Sequence, residues 1–445
     1  MTLGQQSMGF ATIFLAAGKG TRMASDLPKV LHHVAGAPML IHAMKASSAA
    51  GGSRAVVVVG FGAEQVEKAV AAHDPDAVCV HQGEQLGTGH AAKMAQSALA
   101  DFDGDVFVML GDGPFIQPAA LTAMQTAREG GHDLVVLGFE AEDPTGYGRL
   151  VQAPDGALQA IVEEKEATAA ERAISLCNSG VICAARGTFF DLVDGIDNDN
   201  AKGEYYLTDV VARAEARGLS CGVVTCPEEE TLGINSRAQL AEAEAIFQRR
   251  ARAEALENGV TLTAPETVCF ALDTGIGRDV SIAPNVVFGP GVTVETGAQI
   301  NAFCHLEGCH VSKGAIVGPF ARLRPGAELG NDVRVGNFVE IKNAIVDEGA
   351  KVNHLSYVGD AAIGARANIG AGTITSNYAV IGSISSLVAP ISIGDGALVG
   401  SGSVLTKSVP AGALALSRAE ETHRPGFATR FFAALRAKKA NKKAG

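Results

Sequence analysis

The sequence predicts two domains of different class: an N-terminal doubly wound, Rossmann-like α/β domain and a C-terminal parallel β-helix of hexapeptide repeats. Three observations carry this. Short apolar runs alternate with helix-like stretches through the first half of the chain. A charged segment free of Gly and Pro follows at 237–257. From about residue 280 onward, an apolar residue returns at every sixth position.

The run ATIFLAA at 11–17 is continuously apolar and ends in GKG, so it reads as a buried parallel strand feeding a glycine-rich loop. AVVVVG at 55–60, DVFVMLGD at 105–112 and DLVVLGFE at 133–140 read as further strands. AEQVEKAVAAH at 63–73 and AALTAMQTARE at 119–129 read as helices between them. Alternation of this kind belongs to a doubly wound sheet. Ligands of such sheets bind where strands end in loops, which directs attention to the loops after 17 and 110. The segment RAQLAEAEAIFQRRARAEALE at 237–257 is alanine-rich and charged, and predicts one long connecting helix.

The repeats run through Ile282, Phe288, Val294, Ile300 and Leu306, then Val317, Leu323, Leu329, Val335 and Ile341. Val352 and Val358 follow, then Ile363 and Ile369, then Ile381, Leu387, Ile393, Val399 and Leu405. A period of six fits neither a helix nor a hairpin; it fits short strands joined by tight corners. Slips such as that between 306 and 317 are expected at bulges or short outward loops. The expected domains are therefore 1–236, the linker helix 237–257, the β-helix 258–420 and a basic tail 421–445 that reads as a terminal helix.

At 445 residues the chain is too long for one compact core. Its 53 glycines and absent tryptophan fit tight turns better than aromatic-packed cores. A net charge of −12 counts against nonspecific nucleic-acid binding, which needs a cationic surface. No apolar run approaches the roughly 18 residues of a membrane span. MTLGQQSMGF lacks the features of a signal peptide, so a cytoplasmic protein is expected. Eight cysteines occur without a CxxC pair and read as reduced, buried thiols.

Chemistry is concentrated first in LAAGKGTRM at 15–23 and LPKVL at 27–31. The loop is not a Walker A motif, which requires GxxxxGK[ST]. Gly18 and Gly20 still allow backbone N–H groups to approach phosphates, and Arg22 and Lys29 are placed to clamp a triphosphate. These segments resemble the signature of sugar-1-phosphate nucleotidyltransferases. QGEQLGTGHA at 82–91, GDGP at 111–114, TGYGR at 145–149, IVEEK at 161–165, NSG at 178–180, GEYYLTD at 203–209 and LGINSR at 232–237 extend the match. FARLRPGAEL at 320–329, VGNFVEIKN at 335–343, NHLSYVGDA at 353–361 and NIGAGTITSNY at 368–378 make the chain similar, from about 11 to about 420, to the bacterial bifunctional GlmU family.

That resemblance implies a left-handed β-helix and two activities. One is acetyl transfer from acetyl-CoA to glucosamine-1-phosphate. The other is uridylyl transfer from UTP to N-acetylglucosamine-1-phosphate, with Mg²⁺ and release of pyrophosphate. The product, UDP-N-acetylglucosamine, supplies peptidoglycan and lipopolysaccharide synthesis. Uridylyl transfer gathers negative charge, so positioning and electrostatics dominate. The resemblance assigns Asp112 and Asn235 to the metal, Arg22 to the transferring phosphate and Lys29 to the triphosphate. It assigns Leu15, Ala16, Ala17, Gly18, Gly111, Gln82, Gly87 and Thr88 to the nucleotide, and Gly148, Glu163 and Asn178 to the sugar.

Acyl transfer to an amine needs a base of near-neutral pKa, a role that suits histidine. By resemblance His354 is that base. Glu340 is expected to orient and polarise it. Arg324 and Lys342 would hold the sugar phosphate, and Tyr357 and Asn368 the sugar. Ala371, Asn377, Tyr378, Ser383, Ser401 and Arg418 align with acetyl-CoA contacts.

Hexapeptide β-helices associate in threes, so a homotrimer is expected. One alternative is a single-activity nucleotidyltransferase with a structural or regulatory β-helix. Another reads His305, His310 and His354 as a zinc triad. After Tyr378 the chain reads AVIGSISSLVAP, roughly a dozen residues short of the family pattern; a three-strand coil is about eighteen.

Overall fold

The apolar runs of the first half become strands of one sheet. In the computed structural model, which describes residues 9–200, 202–373, 386–387, 398–400, 402–410 and 413–417, the chain divides into compact units of residues 1–293 and 294–445. Of strands β1 (Ala11–Ala16), β2 (Arg54–Val59), β3 (Val78–His81), β4 (Asp105–Leu110) and β5 (Leu134–Glu140), all but β3 fall on or near the sequence expectations, and β3 is an edge strand that those expectations did not include. The hairpin β6 (Arg149–Gln152) and β7 (Leu158–Val162) and the strands β8 (Leu176–Ala185) and β9 (Cys221–Thr225) complete the sheet.

The sheet order is β9-β5-β8-β4-β1-β2-β3, with the β6–β7 hairpin attached to β8 off that path. Along that path four of the six pairs are parallel, but β8 runs antiparallel to both β4 and β5. Successive strand residues face opposite sides, and both sides are buried. Ile13, Val56, Val58, Val106 and Val108 face Ala91, Phe189, Leu192 and Val210. Phe14, Val57, Val59, Phe107 and Met109 face Leu40, Met44, Val66, Val70, Leu121 and Met124. Helices α1 (Met39–Ala49), α2 (Ala63–His73) and α3 (Pro118–Glu129) supply the latter set. The chain starts in the centre at β1 and winds outward both ways, so the loops after β1 and β4 meet at the switch point. There Gly111 N donates to Leu15 O at 3.0 Å.

Helix α4 (Arg237–Glu257) is capped by Ser236, whose hydroxyl accepts from Gln239 N. It is docked rather than a free-standing connector. Its Glu244 carboxylate accepts from Ala35 N at 2.7 Å, and the buried amide of Gln248 bonds both Phe270 N and Phe270 O. The last two contacts bring the segment before the first repeats into the first unit.

The second unit is a coil of short parallel strands, the left-handed parallel β-helix of hexapeptide repeats. Val294, Ile300, Leu306, Val317, Leu323, Leu329, Val335, Ile341, Val352 and Val358 are all buried, while Ile363 and Ile369 are half-buried. Ile381 and Ile393 lie outside the described residues. The slip after Leu306 is neither a bulge nor an outward loop. It is a five-residue step to Val311, which is fully buried and pairs in register with Leu329 and, through it, Val346. Shorter corners achieve this with αL residues at Gly308, Asn343 and Asp360.

A second corner carries Phe303, Phe320, Phe338 and Leu355, all at positive φ and all exposed. The first three rings stack at 4.9 Å and 5.3 Å. Each of the eight cysteines is a free thiol.

Candidate active sites

In the first unit, the loops after β1 and β4 and the segment 82–91 enclose a cleft of about 330 Å³. Leu15, Ala17, Gly18, Lys29, Gln82, Gly87, Thr88 and Asp112 line it, so eight residues expected from the sequence converge. Gln85 and Glu204 also line it and were not singled out beforehand, although both lie inside quoted motifs. Gln85 Nε2 donates to Ala17 O at 2.7 Å and ties the two loops together. Ala16 is buried in β1 and Gly111 sits at the base of the β4 loop.

Glycine is required at two turns. Gly20 has φ +61°, and a Cβ there would approach the Lys29 Cβ to 2.6 Å. Gly87 has φ +111°, with Tyr205 O at 2.5 Å from such a Cβ. The second contact exists because GEYYLTD docks on the 82–91 segment: Gly89 N donates to Tyr205 O, Tyr205 N to Leu86 O and Leu207 N to Thr88 Oγ1. Gln82 is buried and its Nε2 contacts Gly87 O and His90 Nδ1, both at 3.1 Å.

Lys29 Nζ lies between the Asp112 carboxylate and the Asn235 amide oxygen, the latter at 2.9 Å. Ile234 N donates to Asp112 O, and Asn235 N to Gln239 Oε1, so the second oxygen is fixed by the start of α4. Two hard oxygen donors thus point at one cation position, a donor set that suits a divalent metal. Arg22 is exposed on a 3₁₀ turn and makes no hydrogen bond or ion pair among the described residues.

Gly148, Glu163 and Asn178 come together from three segments. Asn178 N donates to Gly148 O at 2.8 Å. A Cβ on Gly148 would lie 3.6 Å from Glu163 Oε1 and 3.7 Å from Asn178 Cβ, filling the space between them. Burial raises the Glu163 carboxyl above its ordinary pKa, against the opposing charge of Lys202.

In the second unit, β10 (Arg322–Leu323), β11 (Arg334–Lys342), β12 (Lys351–Gly359) and β13 (Asn368–Ile369) stack in parallel. Arg322, Glu340 and Tyr357 form one row, and Lys342 is level with Gly359. The Tyr357 hydroxyl lies over Gly359, 2.4 Å from where a Cβ would stand. Inward neighbours Leu323, Ile341 and Val358 are buried, which turns these polar side chains outward.

Arg324 Nη1 donates to Glu340 Oε1 at 2.8 Å. Glu340 makes no hydrogen bond to His354 among the described residues; its partners are Arg324 and Arg322. His354 is exposed and pairs in register with Asn337, on the other side of the Leu355 corner from Tyr357. Ala371 is one residue before Gly372, whose N–H donates to Leu355 O, so it sits below His354. Asn368 is level with Lys351 rather than with Tyr357. Asn377, Tyr378, Ser383, Ser401 and Arg418 lie outside the described residues.

No cluster of three His, Cys, Asp or Glu side chains suited to a metal occurs among the described residues. His305 lies on one sheet of the coil and His310 on another, bridging Glu295 and Glu328, so the zinc triad is not formed.

Residues 12–179 match the model of the MobA-like NTP transferase domain. Over the whole chain, the bifunctional protein GlmU of Roseobacter denitrificans is 60% identical, covering 98% of this chain and all of that protein. The GlmU proteins of Dinoroseobacter shibae and Cereibacter sphaeroides are 58% and 61% identical, covering 98% and 97% of this chain and 99% and 97% of their own lengths. The Roseobacter alignment spans 452 positions, more than the 445 of this chain, so that relative carries residues with no counterpart here. A solved UDP-glucose pyrophosphorylase complexed with UDP-glucose covers 55% of the chain at 18% identity and a TM-score of 0.45.

Proposed function

Because the chain belongs to the bifunctional GlmU family and makes UDP-N-acetylglucosamine by acetyl and uridylyl transfer, we propose that its two groups of converging side chains divide those steps between them. The carrying observation is that each group holds the polar side chains one of the two reactions needs. The uridylyltransferase is assigned to residues 1–236, the linker to 237–257 and the acetyltransferase to the coil from 258 to about 420.

Uridylyl transfer uses no enzyme nucleophile in this reading. The sugar phosphate attacks the α-phosphorus of UTP and pyrophosphate leaves. The cleft lined by Gly18, Gln82, Gly87 and Thr88 takes the nucleotide. Gly148, Glu163 and Asn178 take N-acetylglucosamine-1-phosphate. Asp112 and Asn235 would hold Mg²⁺, which when bound offsets the gathered phosphate charge. Lys29 then faces the triphosphate, and Arg22, exposed at the rim, closes on the transferring phosphate.

For acetyl transfer, Arg324, Lys342 and Tyr357 make a cationic, hydroxyl-bearing surface that fits glucosamine-1-phosphate. His354 takes the ammonium proton so that the free amine attacks the thioester. Glu340 holds Arg324 in this reading, and acts on His354 only at a distance. Acetyl-CoA lies along the Ala371 side of the coil.

A homotrimer in the cytoplasm is also proposed. The exposed stack of Phe303, Phe320 and Phe338 supports self-association, since apolar patches of this kind mark interfaces. No helix among the described residues is long and apolar enough to cross a membrane. One coupled assay tests the main reading: UTP, acetyl-CoA and glucosamine-1-phosphate with Mg²⁺, followed for UDP-N-acetylglucosamine. Absence of product defeats it. Light scattering that finds a monomer at micromolar concentration defeats the trimer.

A further inference from the structure

Arg149 is 1% exposed, yet it carries a full charge. Burying a guanidinium is costly, and an apolar residue of similar size usually packs such a position as well or better. Its presence therefore calls for a reason beyond packing. The planar fork reaches three segments at once. Nη1 donates to Tyr147 O, and Nη2 donates to Glu164 Oε2 at 2.6 Å and to Arg172 O at 3.5 Å. Its Nε has no hydrogen-bond partner among the described residues.

The two principal contacts stand immediately beside sugar-site residues. Tyr147 precedes Gly148, and Glu164 follows Glu163. The β6–β7 hairpin that carries them lies off the main sheet path and joins it through β8, where Arg149 pairs with Cys177. Glu163 itself stands beyond Val162, the last residue of β7. Backbone pairing of the hairpin thus ends before the carboxylate that matters.

We propose that Arg149 is the positioning residue of the sugar-phosphate half of the uridylyl-transfer site, holding Gly148 and Glu163 in mutual register through the Tyr147 carbonyl and the Glu164 carboxylate. The proposal rests on the assignment of Gly148, Glu163 and Asn178 to N-acetylglucosamine-1-phosphate. Arg149 touches no substrate; it sets where the residues that do are placed. It therefore governs the affinity for the sugar phosphate and not that for UTP.

The test uses the full chain and steady-state uridylyl transfer, with KM measured separately for each substrate, acetyl transfer as an internal control and a thermal melt for each variant. Glu164→Gln strands a buried charge, so it is expected to lower the melting temperature and raise KM for N-acetylglucosamine-1-phosphate. Arg149→Met/Glu164→Gln removes both charges, so the melting temperature is expected to recover while that KM stays raised about tenfold. KM for UTP and the acetyl-transfer rate are expected to stay within about twofold of the parent chain. If the sugar-phosphate KM recovers together with the melting temperature, Arg149 is merely structural and the proposal fails.

Should the double variant not fold, Arg149→Lys decides instead, since it keeps the charge and loses the fork. An unchanged sugar-phosphate KM in that variant overturns the proposal, and a raised one supports it. Glu163→Gln separates the two levels of inference. If it leaves the sugar-phosphate KM unchanged, the site assignment itself is wrong. If it raises that KM while the Arg149 variants do not, only the positioning role falls.

Discussion

Lys29 and Asn235 stand 206 residues apart and are joined by one hydrogen bond, from the Lys29 ammonium to the Asn235 amide oxygen at 2.9 Å. The Asp112 carboxylate meets the same ammonium. First loop, central strand end and last helix of the catalytic core are thereby fixed on one point. Lys29→Met is expected to cut uridylyl transfer by about a hundredfold or more, as loss of a charge-stabilising donor does. Acetyl transfer should be unchanged in the same preparation. Equal losses in both assays would point to misfolding rather than a lost charge.

Chelation should divide the activities in the same way. Asp112 and Asn235 supply oxygen donors for a cation, whereas acetyl transfer with His354 as base calls for no metal. Treatment with EDTA is expected to stop uridylyl transfer, to be reversed by Mg²⁺, and to leave acetyl transfer at its starting rate. A coil activity that falls with chelation would contradict this.

Gly20 offers a backbone test of the same site. It has φ +61° and would drive a Cβ into Lys29. Gly20→Ala is expected to destabilise the first unit by about 1–2 kcal/mol, the cost of αL strain in a residue with a Cβ. Displacement of Lys29 should lower uridylyl transfer more than stability alone explains. Parallel melts and rates distinguish the two effects.

Glu340 is bonded to Arg324, not to His354. Glu340→Gln is therefore expected to weaken glucosamine-1-phosphate binding several-fold and to leave the acidic limb of the acetyl-transfer pH profile in place. A shift of that limb would mean that Glu340 tunes the base after all.

Asp209 gives a pH dependence with a definite sign. Burial, then the negative charges of Asp197, Glu166 and Glu163, push its carboxyl up to about 6, against the opposing Arg213. In the unfolded chain an aspartate ionises near 3.9. Between about pH 4 and 6 the folded chain therefore holds a proton that the unfolded chain has released, and this group's contribution to stability falls as pH rises. Asp209→Asn should raise the melting temperature near pH 7.5, with the gain shrinking toward pH 4. A gain that grows on acidification would refute the assignment.

Periodicity made most of the architecture readable. Runs such as AVVVVG have few alternatives once flanked by helical patterns, and helix 237–257 was bounded by its composition alone. The antiparallel course of β8 was not readable, because a strand buried on both faces shows the same apolar run in either direction. Motifs marked Gly148, Glu163 and Asn178, and the structure brings them around one small space that a side chain at 148 would fill. The link from Glu340 to Arg324 was hidden, since sequence spacing does not reveal which outward side chains of adjacent coils share a row. Arg149 was hidden for another reason: a buried cation looks like any surface arginine until its surroundings are known.

The five-residue step at the Leu306–Val311 corner has a wider meaning. Val311, Leu329, Val346 and Ile363 fall in line although the intervals between them are eighteen, seventeen and seventeen residues. One corner works as a take-up point, absorbing a missing residue so that the rows on the other faces remain level. Arg322, Glu340 and Tyr357 keep their common row for that reason alone. The coil is in effect a ruler with one adjustable joint per lap. Length changes are tolerated at that joint or in whole laps, while a single residue gained elsewhere would shear every polar row beyond it.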